Sequence, residues 1–179
     1  METVSTQDFV QAMGHHVSSV CIVTTIVNGE RFGLTATAVN SICASPPRLL
    51  VCVNTSGTTH AKLIEAGVLC VNVVAEGQDA IAKAFAGLMG RAFDKFSTGT
   101  WSALKTQSPV LNEATAVFDC RIVEHIAQFT HSIFICEVVA TRIKSHSEPL
   151  LYGNQKFRNL RQLTSSKTNS PDVDDTLQY

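Results

Sequence analysis

The stretch Val20-Cys21-Ile22-Val23-Thr24-Thr25-Ile26-Val27-Asn28-Gly29 decides the fold class of this chain. Its first eight residues are mostly β-branched, a composition that favours a β-strand. Asn28-Gly29 then supplies the pair that a type I′ turn prefers, because both central residues of that turn need a positive φ. We therefore expect an antiparallel hairpin whose second strand runs from about Arg31 to Val39.

More strand-like segments follow, and only short helices separate them. Further strands are predicted at Arg48–Asn54, Val68–Val74, Thr115–Glu124, Ser132–Ile143 and Pro149–Tyr152. Short helices are predicted from the capping box Ser5–Asp8 to Gly14, from a Thr58 or Thr59 cap to Gly67, and over Gln78–Ala86. Leu88–Ser108 is predicted as a loop with one short strand or turn. Many strands with hairpin chemistry indicate a mainly β (α+β) antiparallel barrel, not a doubly wound sheet.

Composition and charge narrow the function classes. The chain has 179 residues, 45% hydrophobic and 16% charged, which fits one globular domain. A formal net charge of −1 without a Lys/Arg run argues against a nucleic-acid partner. Neither a signal peptide nor an apolar run long enough for a membrane helix is visible, so we expect a cytoplasmic protein without a membrane partner.

Several common catalytic and metal-binding motifs are missing from the sequence. It contains no G-x-G-x-x-G, P-loop, H-E-x-x-H or G-x-S-x-G pattern. The six cysteines form no C-x-x-C pair, and all but Cys43, which lies in a polar, loop-like segment, are read as small hydrophobic residues. Adjacent His15-His16 is read as exposed, so no metal site is expected. Composition and periodicity alone therefore lead only to a β-barrel domain.

The segment Gly33-Leu34-Thr35-Ala36-Thr37-Ala38-Val39-Asn40-Ser41-Ile42-Cys43-Ala44-Ser45-Pro46-Pro47 resembles the signature of the short-chain flavin reductases. In that family the signature is followed by an apolar strand and then by a Ser/Thr-rich turn that ends in His. The corresponding segments here are the strand Arg48–Val53 and the turn Asn54–His60. Further matches occur in the same order at Val71–Val74, Gln78–Phe85, Lys95-Phe96, Ser108–Leu111, Thr130-His131, Cys136–Val138 and Pro149–Tyr152. The resemblance covers about Phe9 to Phe157.

This resemblance implies an antiparallel split β-barrel of the FMN-binding type with short peripheral helices. It also implies a homodimer that uses FMN or FAD, with NADH or NADPH as co-substrate. We expect a flavin reductase-like domain over residues 1–162. Because the composition turns polar near Ser165, we expect a flexible C-terminal tail over residues 163–179.

The resemblance also assigns site residues. It places the flavin ring against Thr35, Ala36, Thr37, Ala38, Ser41, Cys43 and Ala44, and the flavin phosphate against Asn54, Ser56, Thr58, Thr59 and His60, with Lys95 adding positive charge. Phe96 and Tyr152 are further expected cofactor contacts, and His131 is the expected catalytic residue, touching the nicotinamide nucleotide. Small side chains would let the ring approach the backbone, and free N–H groups at a helix start suit an anion.

The implied activity is that of an NAD(P)H-dependent flavin reductase, which passes hydride from NADH to free FMN or FAD and supplies reduced flavin to a partner monooxygenase. NADH is favoured because no Arg cluster suited to a 2′-phosphate is present. Two alternatives stay open at this point. One is an FMN-dependent corrin (cobalamin-pathway) reductase of the same fold, and the other is a non-catalytic flavin-binding electron carrier. Thr37 and Cys136 stand where the family commonly has Asn and Gly.

Overall fold

The computed structural model describes residues 2–90 and 92–160. The tail predicted for residues 163–179 lies outside these described residues. The helices are α1 (Thr6–Gly14), α2 (Thr58–Ala66) and α3 (Asp79–Phe85), with a 3₁₀ turn at Lys95–Ser97. The predicted capping box is present, because the Ser5 hydroxyl accepts a hydrogen bond from the Asp8 N–H. No helix in the described ranges has the length and apolar character needed to cross a membrane.

The residues that the structure describes form twelve strands. They are β1 (Ser18–Ser19), β2 (Cys21–Val27), β3 (Glu30–Ala36), β4 (Val39–Ala44), β5 (Pro47–Asn54), β6 (Val68–Val73), β7 (Trp101–Ala103), β8 (Pro109–Leu111), β9 (Ala116–Gln128), β10 (His131–Ile143), β11 (Leu151–Gly153) and β12 (Lys156–Arg158). The main sheet has seven strands in the order β3-β2-β6-β9-β10-β5-β4, and every pairing in it is antiparallel. β1, β11 and β12 form a small second sheet, and β7 pairs with β8.

The predicted hairpin is confirmed, but its second strand is shorter than predicted. Asn28 and Gly29 have φ values of 51° and 82°, as a type I′ turn requires. β3 ends at Ala36, and a separate strand, β4, begins at Val39. The reason is topological: β3 pairs with β2 at one edge of the sheet, whereas β4 pairs with β5 at the other. A single strand cannot make both pairings.

The position of these two edge strands shapes the barrel. Only Thr37-Ala38 separate β3 from β4, so the sheet must curl until its two edges approach each other. β3 also comes close to β5, but the two are not hydrogen-bonded neighbours in the sheet. The result is an open barrel with a gap beside β3.

Both faces of the sheet are buried, which explains the nearly continuous apolar composition of β2. Val23 packs with Val51, Leu69 and Phe134 in a cluster that also contains Leu63 of α2. The other face carries a second cluster, which contains Ile22, Val74, Ile81, Phe85 and Phe96 and includes the buried side of α3. α2 and α3 are thereby fixed near the gap.

Candidate functional site

A cavity of about 430 Å³ lies at the gap beside β3. Its walls come from five elements: the end of β3, the end of β5, the start of α2, the end of α3 and the first residue of β10. The lining residues are Leu34–Ala38, Cys52–Asn54, Ser56-Gly57, Phe85-Ala86 and His131. The volume is within the range of small-molecule sites.

The edge of β3 offers backbone hydrogen-bonding groups to this cavity. The Gly33 carbonyl accepts from Thr59 Oγ1 at 3.1 Å and from Lys95 Nζ at 2.7 Å, so it faces away from β2. Alternate residues of an antiparallel strand present their N–H and C=O groups to the same side. The N–H and C=O of Thr35 therefore also face away from β2, on the side of the gap.

Two contacts fix α3 against this edge. The Thr35 hydroxyl donates to the Ala82 carbonyl at 2.7 Å. A Cβ at Gly33 would lie 2.7 Å from the Phe85 ring, so only glycine lets that ring pack on the strand. Phe85 and Ala86 form one wall of the cavity. The sequence alone does not identify these two residues as ligand contacts, because their pattern indicates only an amphipathic helix.

The turn that leads into α2 has unpaired N–H groups. Asn54 Oδ1 accepts from the backbone N–H of Ser56 at 2.9 Å and from its hydroxyl at 2.8 Å, which shapes the turn. The N-cap is Gly57, without a side-chain cap bond, so the predicted cap at Thr58 or Thr59 is wrong. The first N–H groups of a helix have no intrahelical partner, and the helix dipole makes this end positive. With no acidic residue in the first turn, the turn suits an anion.

His131 lies in the same cavity as β3 and the turn. It is the first residue of β10, and it pairs with Asn54 of β5. Its Nδ1 is 2.9 Å from the Thr130 hydroxyl, while the described residues provide no hydrogen bond to its Nε2. An exposed imidazole with one free nitrogen can hydrogen-bond a polar group of a ligand in the cavity.

Some predicted site residues lie in other cavities. Ser41, Cys43 and Ala44 line a depression of about 740 Å³, which also borders residues His16–Ser19. Tyr152 lines a third cavity, of about 360 Å³. Thr37 and Ala38 border both this third cavity and the first one.

The side chains of three further predicted contacts are engaged inside the protein. The Phe96 ring is 7% exposed and packs edge-on against Phe85 at 5.0 Å, so it is a core residue. Thr59 is 3% exposed, and its hydroxyl donates to the Gly33 carbonyl. The Nε2 of His60 is 2.8 Å from the Ser132 hydroxyl, and this ring does not line the cavity.

Thr58 and Lys95 keep positions consistent with their predicted roles. Thr58 is the first residue of α2 and follows the lining residue Gly57 directly. The Lys95 ammonium group shares the Gly33 carbonyl with Thr59, so it lies beside the second residue of α2. Partial burial lowers the pKa of Lys95 from its ordinary value.

Comparisons with known proteins identify relatives. A family model described as "Flavin reductase like domain" matches residues 13–161. The FMN reductase (NADH) RutF 2 of Methylorubrum extorquens (strain PA1) is 40% identical over 157 residues, which are 88% of this chain and 91% of the relative.

Solved structures agree in fold. The NADH:FAD oxidoreductase SgcE6 of Streptomyces globisporus C-1027 is 29% identical with a TM-score of 0.79, covering 88% of this chain and 96% of that one. BorF, the flavin reductase component of a bacterial two-component tryptophan halogenase, is 25% identical with a TM-score of 0.80, covering 87% and 98%. The open antiparallel sheet and these neighbours confirm the predicted split barrel. Because the family model spans most of the chain and the Methylorubrum relative matches along nearly its whole length, this protein belongs to the flavin reductase-like domain family.

Proposed function

We propose that this protein is an NADH-dependent flavin reductase that transfers hydride from NADH to FMN. The observation that carries the proposal is the cavity beside β3, which joins an edge-strand backbone, the positive end of α2 and His131. The name of the Methylorubrum relative, FMN reductase (NADH), supports FMN as the flavin and NADH as the donor. FAD and NADPH are the competing choices.

The residues of the cavity fit a flavin mononucleotide. Thr35 provides one N–H donor and one C=O acceptor at an open strand edge, which matches the polar edge of an isoalloxazine ring. Ala36 and Ala38 are small enough to let a ring lie close to the backbone. Ser56 and Gly57, with the first N–H groups of α2, would hold the phosphate, and Asn54 shapes that turn.

In the mechanism that we propose, the protein positions and shields the reactants. The bound flavin supplies the hydride acceptor. His131 would hydrogen-bond the nicotinamide nucleotide through its free Nε2 and orient it in the cavity. Leu34 and Phe85 would exclude water from one side of the cavity. Orientation of this kind can supply a large part of a rate enhancement without a general acid or base.

The remaining parts of the proposal concern assembly. We infer that the protein is a cytoplasmic homodimer that delivers reduced flavin to a partner monooxygenase. The description of BorF as a component of a two-component halogenase supports the idea of a separate partner. Tyr152 stays a predicted contact, because the third cavity borders Thr37 and Ala38 as the first one does. Ser41, Cys43 and Ala44 stay predicted contacts, because their depression shares Asn40 with the third cavity.

The test is a reductase assay with purified protein. NADH consumption, followed by loss of the nicotinamide absorbance band, should depend on added FMN and be faster with NADH than with NADPH. FAD, riboflavin and a corrin in place of FMN separate the flavin reductase from the corrin reductase. Flavin binding without NADH consumption would contradict the proposal in favour of an electron carrier.

A further inference from the structure

Two histidines outside the cavity share one buried hydroxyl. Ser132 is 1% exposed, and its Oγ lies 2.8 Å from His60 Nε2 and 3.0 Å from His125 Nε2. The two imidazole rings are 6.0 Å apart, and both pack on the Phe134 ring, at 5.6 Å and 5.2 Å. Ser132 directly follows His131, and His60 is the third residue of α2.

The single hydroxyl proton of Ser132 limits which of the two histidines can accept a hydrogen bond from it. A serine hydroxyl can donate one hydrogen bond and accept others. If the Ser132 hydroxyl proton is to be used in one of these two bonds, the Nε2 of one histidine must accept it, and the Nε2 of the other then donates to Ser132 Oγ. His125 is exposed, so it can carry the donating N–H in either of its charge states. His60 then accepts from Ser132 and must be neutral at Nε2.

Protonation of His60 would break the arrangement. Two N–H groups would then point at Ser132 Oγ, and the serine proton would lose its acceptor at a site without water access. An unsatisfied buried donor is costly. Partial burial and the charge of His125 also lower the pKa of His60 from its ordinary value of 6.5.

We propose that Ser132 and His125 hold His60 in its neutral form and thereby fasten the first turn of α2 to β10, so that the three residues position the phosphate turn. His60 and Ser132 connect α2, which begins directly after the phosphate turn, to β10, which begins at His131. These are positioning residues, since none of them lines the cavity. The positioning of the phosphate turn for a flavin rests on the proposed function, whereas the neutral charge state of His60 does not.

Other charged groups near α2 are directed elsewhere. Lys62 pairs with Glu65 on α2 itself at 2.7 Å. On β3, the guanidinium group of Arg31 lies over the Phe96 ring at 4.6 Å. On β10, His131 is bonded to Thr130, and on β9 Glu124 points to the opposite face from His125 because strand side chains alternate. Among the described groups, His125 is the charge that acts on His60.

The first test is a histidine ring titration by NMR on the protein without flavin. His60 should titrate below its ordinary value of 6.5 in the native protein. In Ser132→Ala the pKa of His60 should rise toward that value, because the hydroxyl that donates to the neutral ring is removed. In His125→Gln it should also rise, because the imidazole charge is removed while the amide still provides an N–H for Ser132. Ser147→Ala, which removes a similar hydroxyl contact to Thr115 of 3.1 Å, should leave it unchanged.

Stability should follow the same titration. The folded-state pKa of His60 lies below the unfolded value, so the unfolded chain takes up the proton more readily. The stability that His60 contributes is therefore present above about pH 6.5 and is lost as the pH falls through the folded pKa. The drop in Tm on acidification should be smaller in His125→Gln than in the native protein.

The second test compares FMN with riboflavin, which lacks the phosphate. At a pH above neutrality, Ser132→Ala should raise the Kd for FMN about three- to tenfold, the value of one hydrogen bond. The Kd for riboflavin should change by less than about twofold, and His125→Gln should keep FMN affinity, because its amide still donates to Ser132.

An unchanged His60 titration in Ser132→Ala would overturn the proposal, as would an ordinary pKa for His60 in the native protein. Equal weakening of FMN and riboflavin would overturn the positioning of the phosphate turn. A native protein that binds no FMN would contradict the proposed function, while the titration would still decide the state of His60.

Discussion

At the scale of single residues, a substitution of His131 should affect the reaction with NADH and leave the affinity for the flavin nearly unchanged. Its Nε2 is open to the cavity, whereas the Thr35 edge and the turn at Ser56 do not depend on it. His131→Ala should lower kcat/KM for NADH about ten- to hundredfold through lost orientation, while the Kd for FMN changes by less than about twofold. Stopped-flow reduction and flavin fluorescence measure the two quantities.

The matched control for this prediction is His146→Ala, an exposed histidine that lines none of the described cavities. It should leave both quantities unchanged. Parallel loss of NADH turnover and FMN affinity in His131→Ala would show that His131 supports the flavin site itself, and retention of both would remove it from the site.

The sequence motifs predicted positions in this site better than side-chain directions. Thr35, Asn54 and His131 come from three distant motifs, and they line one cavity. Phe96 and His60 also belong to motifs, but their rings point into the interior. A motif defines spacing along the chain, whereas the direction of a side chain depends on the register of its turn or helix against the sheet, which one sequence does not reveal.

At the scale of elements, Asn72 joins β8 to the main sheet. It is fully buried on β6, its Nδ2 donates to the Ile22 carbonyl at 3.1 Å, and its Oδ1 accepts from the Leu111 N–H at 2.7 Å. Asn72→Ala should lower the free energy of unfolding by about 2–4 kcal/mol, because it leaves buried backbone groups without partners. Urea denaturation measures the change.

Asn112→Ala is the control, because Asn112 Oδ1 accepts one exposed hydrogen bond, from Ser102. It should cost less than about 1 kcal/mol. If Asn72→Ala is equally mild, β8 is held by its apolar packing and not by Asn72. The asparagine in the family-like segment Val71–Val74 would then have a role other than the connection to β8.

Buried elements were easier to predict than exposed ones. β2 and its turn follow directly from β-branched composition and Asn28-Gly29. Most of β4 falls between the strands predicted at Arg31–Val39 and Arg48–Asn54, because its residues are mostly exposed and show no apolar alternation. β9 extends to Gln128, past the predicted end at Glu124, because pairing with β10 continues although the end of β9 itself is largely exposed.

At the scale of the whole molecule, an uncovered surface supports the proposed homodimer. α1 has no buried residue, and its exposed Met13 lines the third cavity. Ile42 is an exposed apolar side chain between Ser41 and Cys43, which line the depression of about 740 Å³. Within that depression, Arg48 Nε is buried without a hydrogen-bond partner among the described residues. A second copy of the chain would cover the apolar side chains and offer an acceptor to Arg48.

Sedimentation equilibrium should therefore find a dimer, and Ile42→Asp should raise its dissociation constant about tenfold or more, because a carboxylate would be buried in the interface. Val123→Asp is the matched control: Val123 is 40% exposed, close to the 45% of Ile42, but lies on β9 outside the depression. Its dissociation constant should stay within about twofold of the native value. A monomeric native protein would contradict the homodimer. A dissociation constant unchanged by Ile42→Asp would place the interface elsewhere, and equal weakening by both substitutions would show that the effect is not specific to the depression. If Ile42→Asp also weakens FMN binding, the second copy helps to build the flavin site, as expected if Ser41 and Cys43 contact a bound flavin.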